Sequence, residues 1–238
     1  MNLILFDRAE IARPLPRNDP RADHILHVLR RAPGEKFDAG LINGARGKGT
    51  LVAVHETEIA LTFSWEIEPP PLDPITLVVG LPRPQTARKI LQEATALGVS
   101  AVHFAATDRS DPNYGDSSLW HSGEWRRHLL AGAEQAFCTR IPEVTHDRAF
   151  PEVIASLPKS NTRIALDNYE SPASLSAVEI LALPVVIAVG AERGWSAEER
   201  IALRAHGFIL VHLGSRVLRV ETACVAAVTL VKARTGLW

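Results

Sequence analysis

Cysteine is scarce. The 238-residue chain has two, Cys138 and Cys224, far apart and without a CxxC pair. A fold stapled by disulfides and a cysteine zinc site are both excluded, and a reduced, cytoplasmic protein is the simplest reading. Long apolar runs are missing as well: nothing approaches the roughly 18 residues that a spanning helix needs. The opening stretch, Met1 to Phe6, is short, lacks a basic lead and runs at once into Asp7 and Arg8, unlike a secretory signal. No GxGxxG or GxxxxGK[ST] is present, which argues against a dinucleotide fold or a P-loop NTPase, and no GxSxG elbow supplies a hydrolase nucleophile. None of the nine histidines falls in HExxH or another metal spacing, so no metal is expected. Charge of one sign is not in excess either, the net being −1. The molecule is thus no general polyanion trap, although arginine heavily outnumbers lysine, and its planar fork suits phosphate.

What is present divides at Pro69-Pro-Pro-Leu-Asp-Pro74, a stiff extended spacer that neither a helix nor a central strand accommodates. Residues 1–70 read as short alternating strands: Leu3–Phe6, Lys36–Ala39, Leu41–Asn43, Gly49–Val54 and Ile59–Ser64. Asn43-Gly44 and Lys48-Gly49 are the expected turns, and one helical piece covers Arg21–Arg30. A small β-barrel with one helix is expected. Residues 71–238 change to strand-helix-strand rhythm. Strands are expected at Thr76–Leu81, Val99–Ala106, Arg163–Asp167, Val185–Gly190 and Phe208–Leu213. The helices between and after them are Thr86–Leu97 (closed by Gly98), Glu124–Phe137, a segment opened by a Ser196–Glu199 capping box and ended at Gly207, and Val220–Arg234. Strands alternating with helices imply an α/β domain with a parallel sheet covered on both faces.

Two turns carry the chemistry. Gly190-Ala-Glu-Arg-Gly194 and Leu213-Gly-Ser-Arg-Val-Leu-Arg219 each follow a buried β-branched run, and adjacent strand-end turns make a pocket lined by backbone amides and carbonyls. The second turn also delivers Arg216, Arg219 and Glu221 to that pocket.

The run Leu213-Gly-x-Arg-x-Leu-Arg-x-Glu-Thr-Ala223 resembles the C-terminal motif of the ribosomal RNA small-subunit methyltransferase E family. Arg21-x-x-His24-x-x-x-Val28-Leu-Arg30, Lys89–Val99, Thr107–Ser110, Glu134-Gln135 and Arg140–Glu143 resemble its other blocks, so the likeness runs nearly the whole chain. The resemblance implies an S-adenosyl-L-methionine-dependent enzyme that methylates N3 of a uridine in small-subunit (16S) ribosomal RNA, acting on the RNA or the assembled subunit. It further implies a SPOUT domain over 71–238, a trefoil-knotted parallel sheet with helices on both faces, behind a PUA-like RNA-binding barrel over 1–70, and a homodimer. Cofactor contacts would fall on Leu166, Gly190, Glu192, Gly194, Leu213, Gly214, Val217 and Leu218, and RNA contacts on Arg21, His27, Arg30, Arg31, Arg109 and Arg140.

The chain departs from the family at Ala191 and Arg193, where proline and glycine are usual, at Ala136–Thr139, and in the acidic loop Asp111–Asp116. Loss of the glycine at 193 is expected to matter if that residue needs positive φ. Two further readings therefore stand beside the first: a SPOUT enzyme with another RNA target, and an RNA- or ribosome-binding protein that no longer methylates. Methylating N3 requires removal of its proton and alignment with the methyl donor. Glu221 is the candidate base, or equally an ion-pair partner that fixes the turn. Arg219 and Arg216 are candidates to stabilise charge on the uracil.

Overall fold

The computed structural model describes residues 3–158, 162–178 and 183–238; Met1 and Asn2, at the head of the opening apolar stretch, lie outside them. The chain forms two compact units, Met1–Pro71 with Ala133–Ile141, and Leu72–Gly132 with Pro142–Trp238.

The first unit is built on β1 (Ile4–Phe6), β2 (Leu15–Pro16), β3 (Lys36–Leu41), β4 (Arg46–Val54) and β5 (Glu58–Ile67). They pair in the order β1-β3-β4-β5-β2, with β1 parallel to β3 and the other pairs antiparallel, and the sheet curls into a half-barrel. Its concave side is filled by Phe6, Phe37, Leu51 and Ile59, and Ile25 packs against them from the helix. Asn43-Gly44 turns β3 into β4 as expected. Lys48-Gly49 does not turn: both residues lie inside β4. There the glycines make room for neighbours, since a Cβ on Gly49 would sit 2.4 Å from the Phe37 ring and one on Gly47 would strike the Ser64 carbonyl.

The helix starts at α1 (Pro20–Asp23), where the Asp19 carboxylate accepts the Arg21 N–H, and continues as a π-helical turn over His24–Val28. It stops short of the expected Arg30, which takes the left-handed conformation at φ 54°. Ala133–Ile141 supports the β3–β4 hairpin. Thr139 Oγ1 donates to the Gly44 carbonyl at 2.6 Å, and the Asn43 N–H donates to the Thr139 carbonyl at 2.8 Å. Arg46 lies over the Phe137 ring at 4.6 Å. Phe137 and Thr139, in the stretch 136–139, therefore make their contacts within this unit.

The second unit holds a seven-stranded sheet, every pair of it parallel. Its strands are β6 (Asp73–Gly80), β7 (Val99–Ala106), β8 (Glu143–Ala149), β9 (Thr162–Leu166), β10 (Ala173–Ser174), β11 (Val185–Val189) and β12 (Ile209–His212). The order is β10-β12-β9-β11-β6-β7-β8. Helices α2 (Pro84–Ala96) and α7 (Val220–Thr235) pack together and α7 meets β11, while α5 (Phe150–Ser156) and α6 (Ala197–Ala205) belong with Val78, Val186 and Ala188 to a second cluster. Burial on both faces explains why β11 is the unbroken apolar run Val-Val-Ile-Ala-Val. Between β7 and β8 lie a 3-10 turn at Pro112–Tyr114, α3 (Ser118–His121) and α4 (Glu124–Gln135). At the far end of α7, Lys232 Nζ reaches Asp73 Oδ2 at 2.7 Å and the Leu97 carbonyl at 2.8 Å, tying the helix to the start of β6.

Candidate functional site

From β6 the chain runs outward through β7 to β8, then returns to build β9, β11, β12 and β10 on the other side. The order thus reverses between β6 and β11, and in open parallel sheets ligands bind beyond the strand C-termini at such a point. A cleft of about 640 Å³ lies there. Its walls are the segments that leave β9 at Leu166–Tyr169, β11 at Val189–Gly194 and β12 at Leu213–Arg219, together with the start of α2 and the start of α7.

The β11 turn closes on a hydrogen bond from the Gly194 N–H to the Ala191 carbonyl, 2.8 Å. Gly194 has φ 66°, whereas Arg193 is not among the positive-φ residues. Arginine at 193 therefore imposes no backbone strain, contrary to the expectation from the family pattern. Ala191 is buried, and Gly80 must lack a side chain because its Cβ would come 2.5 Å from the Ala191 nitrogen. The turn is anchored at both ends. The Glu192 carboxylate accepts the Arg83 N–H at 3.0 Å, and the fully buried Trp195 donates its indole N–H to the Leu166 carbonyl at 3.0 Å. Behind it the expected capping box is formed: Ser196 Oγ accepts the Glu199 N–H, and Glu199 accepts the Ser196 N–H. Glu199 also accepts the Asp108 N–H at 2.8 Å, while Ser196 Oγ donates to Asp108 Oδ2 at 2.6 Å, so the loop after β7 is locked to the same point.

Asp167, just past β9, is a floor residue that sequence reading missed. Its side chain is 2% exposed and is met by Arg200 Nε at 2.8 Å. Its other oxygen accepts the N–H groups of Tyr169 and Glu170 at 2.8 and 2.6 Å. Burial pushes this carboxyl up; the Glu170 N–H, the Arg200 guanidinium and the Tyr169 N–H outweigh it and hold it below the usual aspartate range. Asp167 therefore shapes the loop from within and holds Tyr169, mostly exposed, at the cleft mouth.

In the β12 loop, Leu213, Arg216, Val217, Leu218, Arg219 and Glu221 all line the cleft. Gly214 does not. It sits at φ 110° and donates its N–H to His212 Nδ1 at 3.0 Å, so it turns the loop rather than walls the cleft. Arg219 is the N-cap of α7 without a side-chain cap, and its carbonyl accepts the Ala223 N–H at 2.8 Å. Glu221 pairs with a lysine: Lys89 Nζ lies 3.1 Å from its Oε1. Burial raises the Glu221 carboxyl, and its own backbone N–H, Lys89 and Arg219 bring it below the ordinary glutamate value. Lys89, Arg83, Gln85 and Thr86 of the α2 segment complete the cleft. Their signal was faint in the sequence because they sit on the start of an ordinary amphipathic helix.

Of the expected cofactor residues, Leu166, Gly190, Glu192, Gly194, Leu213, Val217 and Leu218 converge here, as do all three catalytic candidates. The residues expected to hold RNA differ among themselves. Arg21 is committed internally: it pairs with Glu10 and Asp19 at 2.8 Å each and lies over the Phe6 ring. Its guanidinium braces the first unit, with a further bond to the Leu5 carbonyl at 3.1 Å. Arg140 gives Nε to the Pro70 carbonyl at 2.9 Å and holds the proline spacer. His27 and Arg30 are exposed, with His27 3.8 Å from Asp23, and Arg31 keeps a buried Nε without a hydrogen-bond partner. Arg109 donates to the Arg193 carbonyl at 2.8 Å. In the loop after Ser110, Asp111 caps the 3-10 turn through Asn113, so that acid is used locally.

Residues 68–232 match the RNA methyltransferase domain family. The chain is 34% identical over its whole length to the ribosomal RNA small subunit methyltransferase E of Treponema pallidum, covering 93% of that protein. It is 26% identical to ribosomal RNA small subunit methyltransferase E 1 of Borreliella burgdorferi, with 95% of each chain covered. The fold matches that of a ribosomal RNA small subunit methyltransferase E from Neisseria gonorrhoeae, solved bound to S-adenosyl methionine, with a TM-score of 0.79, 23% identity, and 100% and 98% of the two chains covered. This chain belongs to the ribosomal RNA small subunit methyltransferase E family.

Proposed function

We propose that this protein is an S-adenosylmethionine-dependent methyltransferase that modifies N3 of a uridine in small-subunit ribosomal RNA, acting in the cytoplasm as a homodimer. The observation that carries the reading is the convergence of three strand-end loops with Arg216, Arg219 and Glu221 on one cleft at the topological switch.

The cleft suits the cofactor. Its size is that of small-molecule sites. Leu166, Leu213 and Leu218 offer apolar walls, and the Gly190–Gly194 turn offers backbone polar groups at a strand end. Bound S-adenosylmethionine would supply an electrophilic methyl group on a sulfonium, which needs no metal to activate it. The chain must do the rest. Arg219 and Arg216 place positive charge where the uracil carbonyl oxygens become negative as N3 loses its proton. Glu221, held ionised beside Lys89, accepts a hydrogen bond from the incoming N3–H, orients it and takes its proton as N3 receives the methyl; its depressed pKa makes it a weak base, so the arginines take the larger share of the barrier. The Gly190–Gly194 turn accepts Arg193 without positive φ, which supports this reading over an RNA-binding protein that no longer methylates.

The test has two parts. Calorimetry should give micromolar cofactor binding, on the order of −8 kcal/mol. Mass spectrometry of ribosomal RNA, from cells without the gene and after treatment with the purified protein, should show one uridine gaining a base methyl. Absence of cofactor binding by the folded protein would overturn the reading.

A further inference from the structure

A second pocket, of about 330 Å³, shares Arg83, Glu192 and Arg193 with the rim of the main cleft and is otherwise lined by Arg109, Ser110, Asp111, Pro112 and Tyr114. Three arginines line it. Several arginines of this unit are matched to acids: Arg88 with Glu124, Arg200 with Asp167, Arg204 with Glu170. Among the described residues, none of Arg83, Arg109 and Arg193 has a carboxylate within ion-pair distance. Of the two acids of the pocket, Glu192 accepts the Arg83 backbone N–H and attracts its guanidinium through charge without an ion-pair contact, and Asp111 is engaged with Asn113.

Two of these cations, Arg83 and Arg109, are also held in place. Arg83 Nε donates to Tyr114 Oη at 3.2 Å, and Arg109 Nη1 donates to the Arg193 carbonyl at 2.8 Å. Unpaired, positioned guanidiniums around a concave surface are the chemistry of phosphate recognition. In a chain of net charge −1, such a cluster stands out.

We infer that this pocket is a subsite for a backbone phosphate of the RNA next to the nucleotide being methylated, with Arg109 and Arg193 as its principal ligands and Tyr114 holding Arg83. The inference rests on the methyltransferase reading, and it gives Arg193, which departs from the family pattern, a role on the substrate side of the cleft. A phosphodiester gripped at the rim would fix the strand while the target base turns into the cleft. Binding energy remote from the methyl group would thus be used for alignment.

The test uses the full chain, with Arg109→Gln, Arg193→Gln and the charge-keeping Arg109→Lys. RNA binding is followed by anisotropy of a labelled uridine-containing single strand across a salt series, beside methyl transfer to unmodified small subunits and cofactor calorimetry. Each glutamine variant should weaken RNA binding and raise the RNA KM about tenfold, and should lower the salt slope by about 0.7, one phosphate's worth on a single strand. Cofactor affinity should stay level, and Arg109→Lys should restore most of the loss. Unchanged RNA affinity and slope would overturn the subsite while leaving methylation by the wild type standing. A cofactor affinity that falls with the RNA affinity would move Arg193 to the cofactor and overturn it too. Competition by inorganic pyrophosphate for the pocket, with an unaltered RNA slope, would assign it to a free anion instead. If the wild type neither binds RNA nor transfers a methyl, the subsite and the parent reading fall together.

Discussion

Lys89 on α2 holds Glu221 on α7 at 3.1 Å, so the one carboxylate among the catalytic candidates is already paired within the cleft. The pair, with the help of Arg219, keeps Glu221 below the ordinary glutamate pKa. Removing the lysine charge by Lys89→Met should let that pKa rise, and the acid limb of the pH–rate profile should move to higher pH. Because Lys89 is more than half exposed, the same change should cost less than about 1 kcal/mol of stability. Glu221→Gln should lower turnover, and a recovery of rate at high pH would mark Glu221 as a base. A fall in stability without that recovery would mark it as a brace. An acid limb that stays fixed in Lys89→Met would show that Glu221 ionisation does not govern the rate.

Arg219 and Arg216 are expected to act late in the reaction, when charge has developed on the base. Alanine at Arg219 should reduce turnover by about a hundredfold, the loss typical of one donor to a developing oxyanion. Arg216→Ala should lose less. Cofactor affinity should hardly change, because the interaction is made mainly in the transition state. Single-turnover methyl transfer at saturating RNA reads this directly. Near-normal turnover in both variants would move the chemistry elsewhere in the cleft.

The Asp167–Arg200 pair is buried on both sides, at 2% and 7% side-chain exposure. Asp167→Asn would leave the guanidinium without its full charge partner, and breaking such pairs costs about 3 kcal/mol or more. Urea unfolding should show that loss. The pH dependence follows from the direction of the shift. A carboxyl whose pKa is lowered on folding stabilises the fold fully above its unfolded value, about 3.9 for aspartate, and loses that contribution as pH falls through its lower folded value. Acid unfolding of the wild type should therefore steepen below about pH 4 through this residue, and the Asn variant should lack that part of the curve. Equal stability of the two proteins at pH 7 would show that Arg200 finds compensation, with Glu170 at 3.8 Å the nearest acid.

How far the sequence discloses this molecule depends on whether the signal is local. Strands β6, β7, β9, β11 and β12 read clearly because burial on both faces leaves an apolar run that glycine or proline punctuates. The capping box at Ser196 and the glycine stop at Gly98 are equally local, and both are present. β8 was not legible: Glu-Val-Thr-His-Asp-Arg-Ala is polar because it forms the sheet edge. Nor were the two-residue strands β2 and β10, which exist only through their partners. In the site, glycine-bounded turns exposed the β11 and β12 loops. Asp167 and Lys89 could not be found in that way, since Arg200 and Glu221 lie 33 and 132 residues away in sequence. The internal partners of Arg21 were hidden for the same reason. A cation on a short helix looks available until Glu10 and Asp19 fold against it.

The remaining expectation concerns α7. Ala223, Cys224, Ala227, Val228 and Val231 are buried, with α2 and β11 as the main elements against the helix, so one side of it is accounted for within the chain. Ala226, Thr229 and Leu230 form the other side and are only half-buried. A helix that is apolar nearly all round needs cover on both sides, and a second copy of the chain would provide it. Sedimentation equilibrium should give a dimer at micromolar concentration. Leu230→Asp should give a folded monomer, because the substitution puts a charge on the half-buried side and leaves the buried side intact. Its far-UV circular dichroism should match the wild type, which separates loss of assembly from loss of fold. If the cofactor cleft is completed near the partner subunit, the monomer should also bind S-adenosylmethionine more weakly. A wild-type protein that sediments as a monomer would rule the dimer out and leave the half-buried side of α7 as an ordinary solvent boundary.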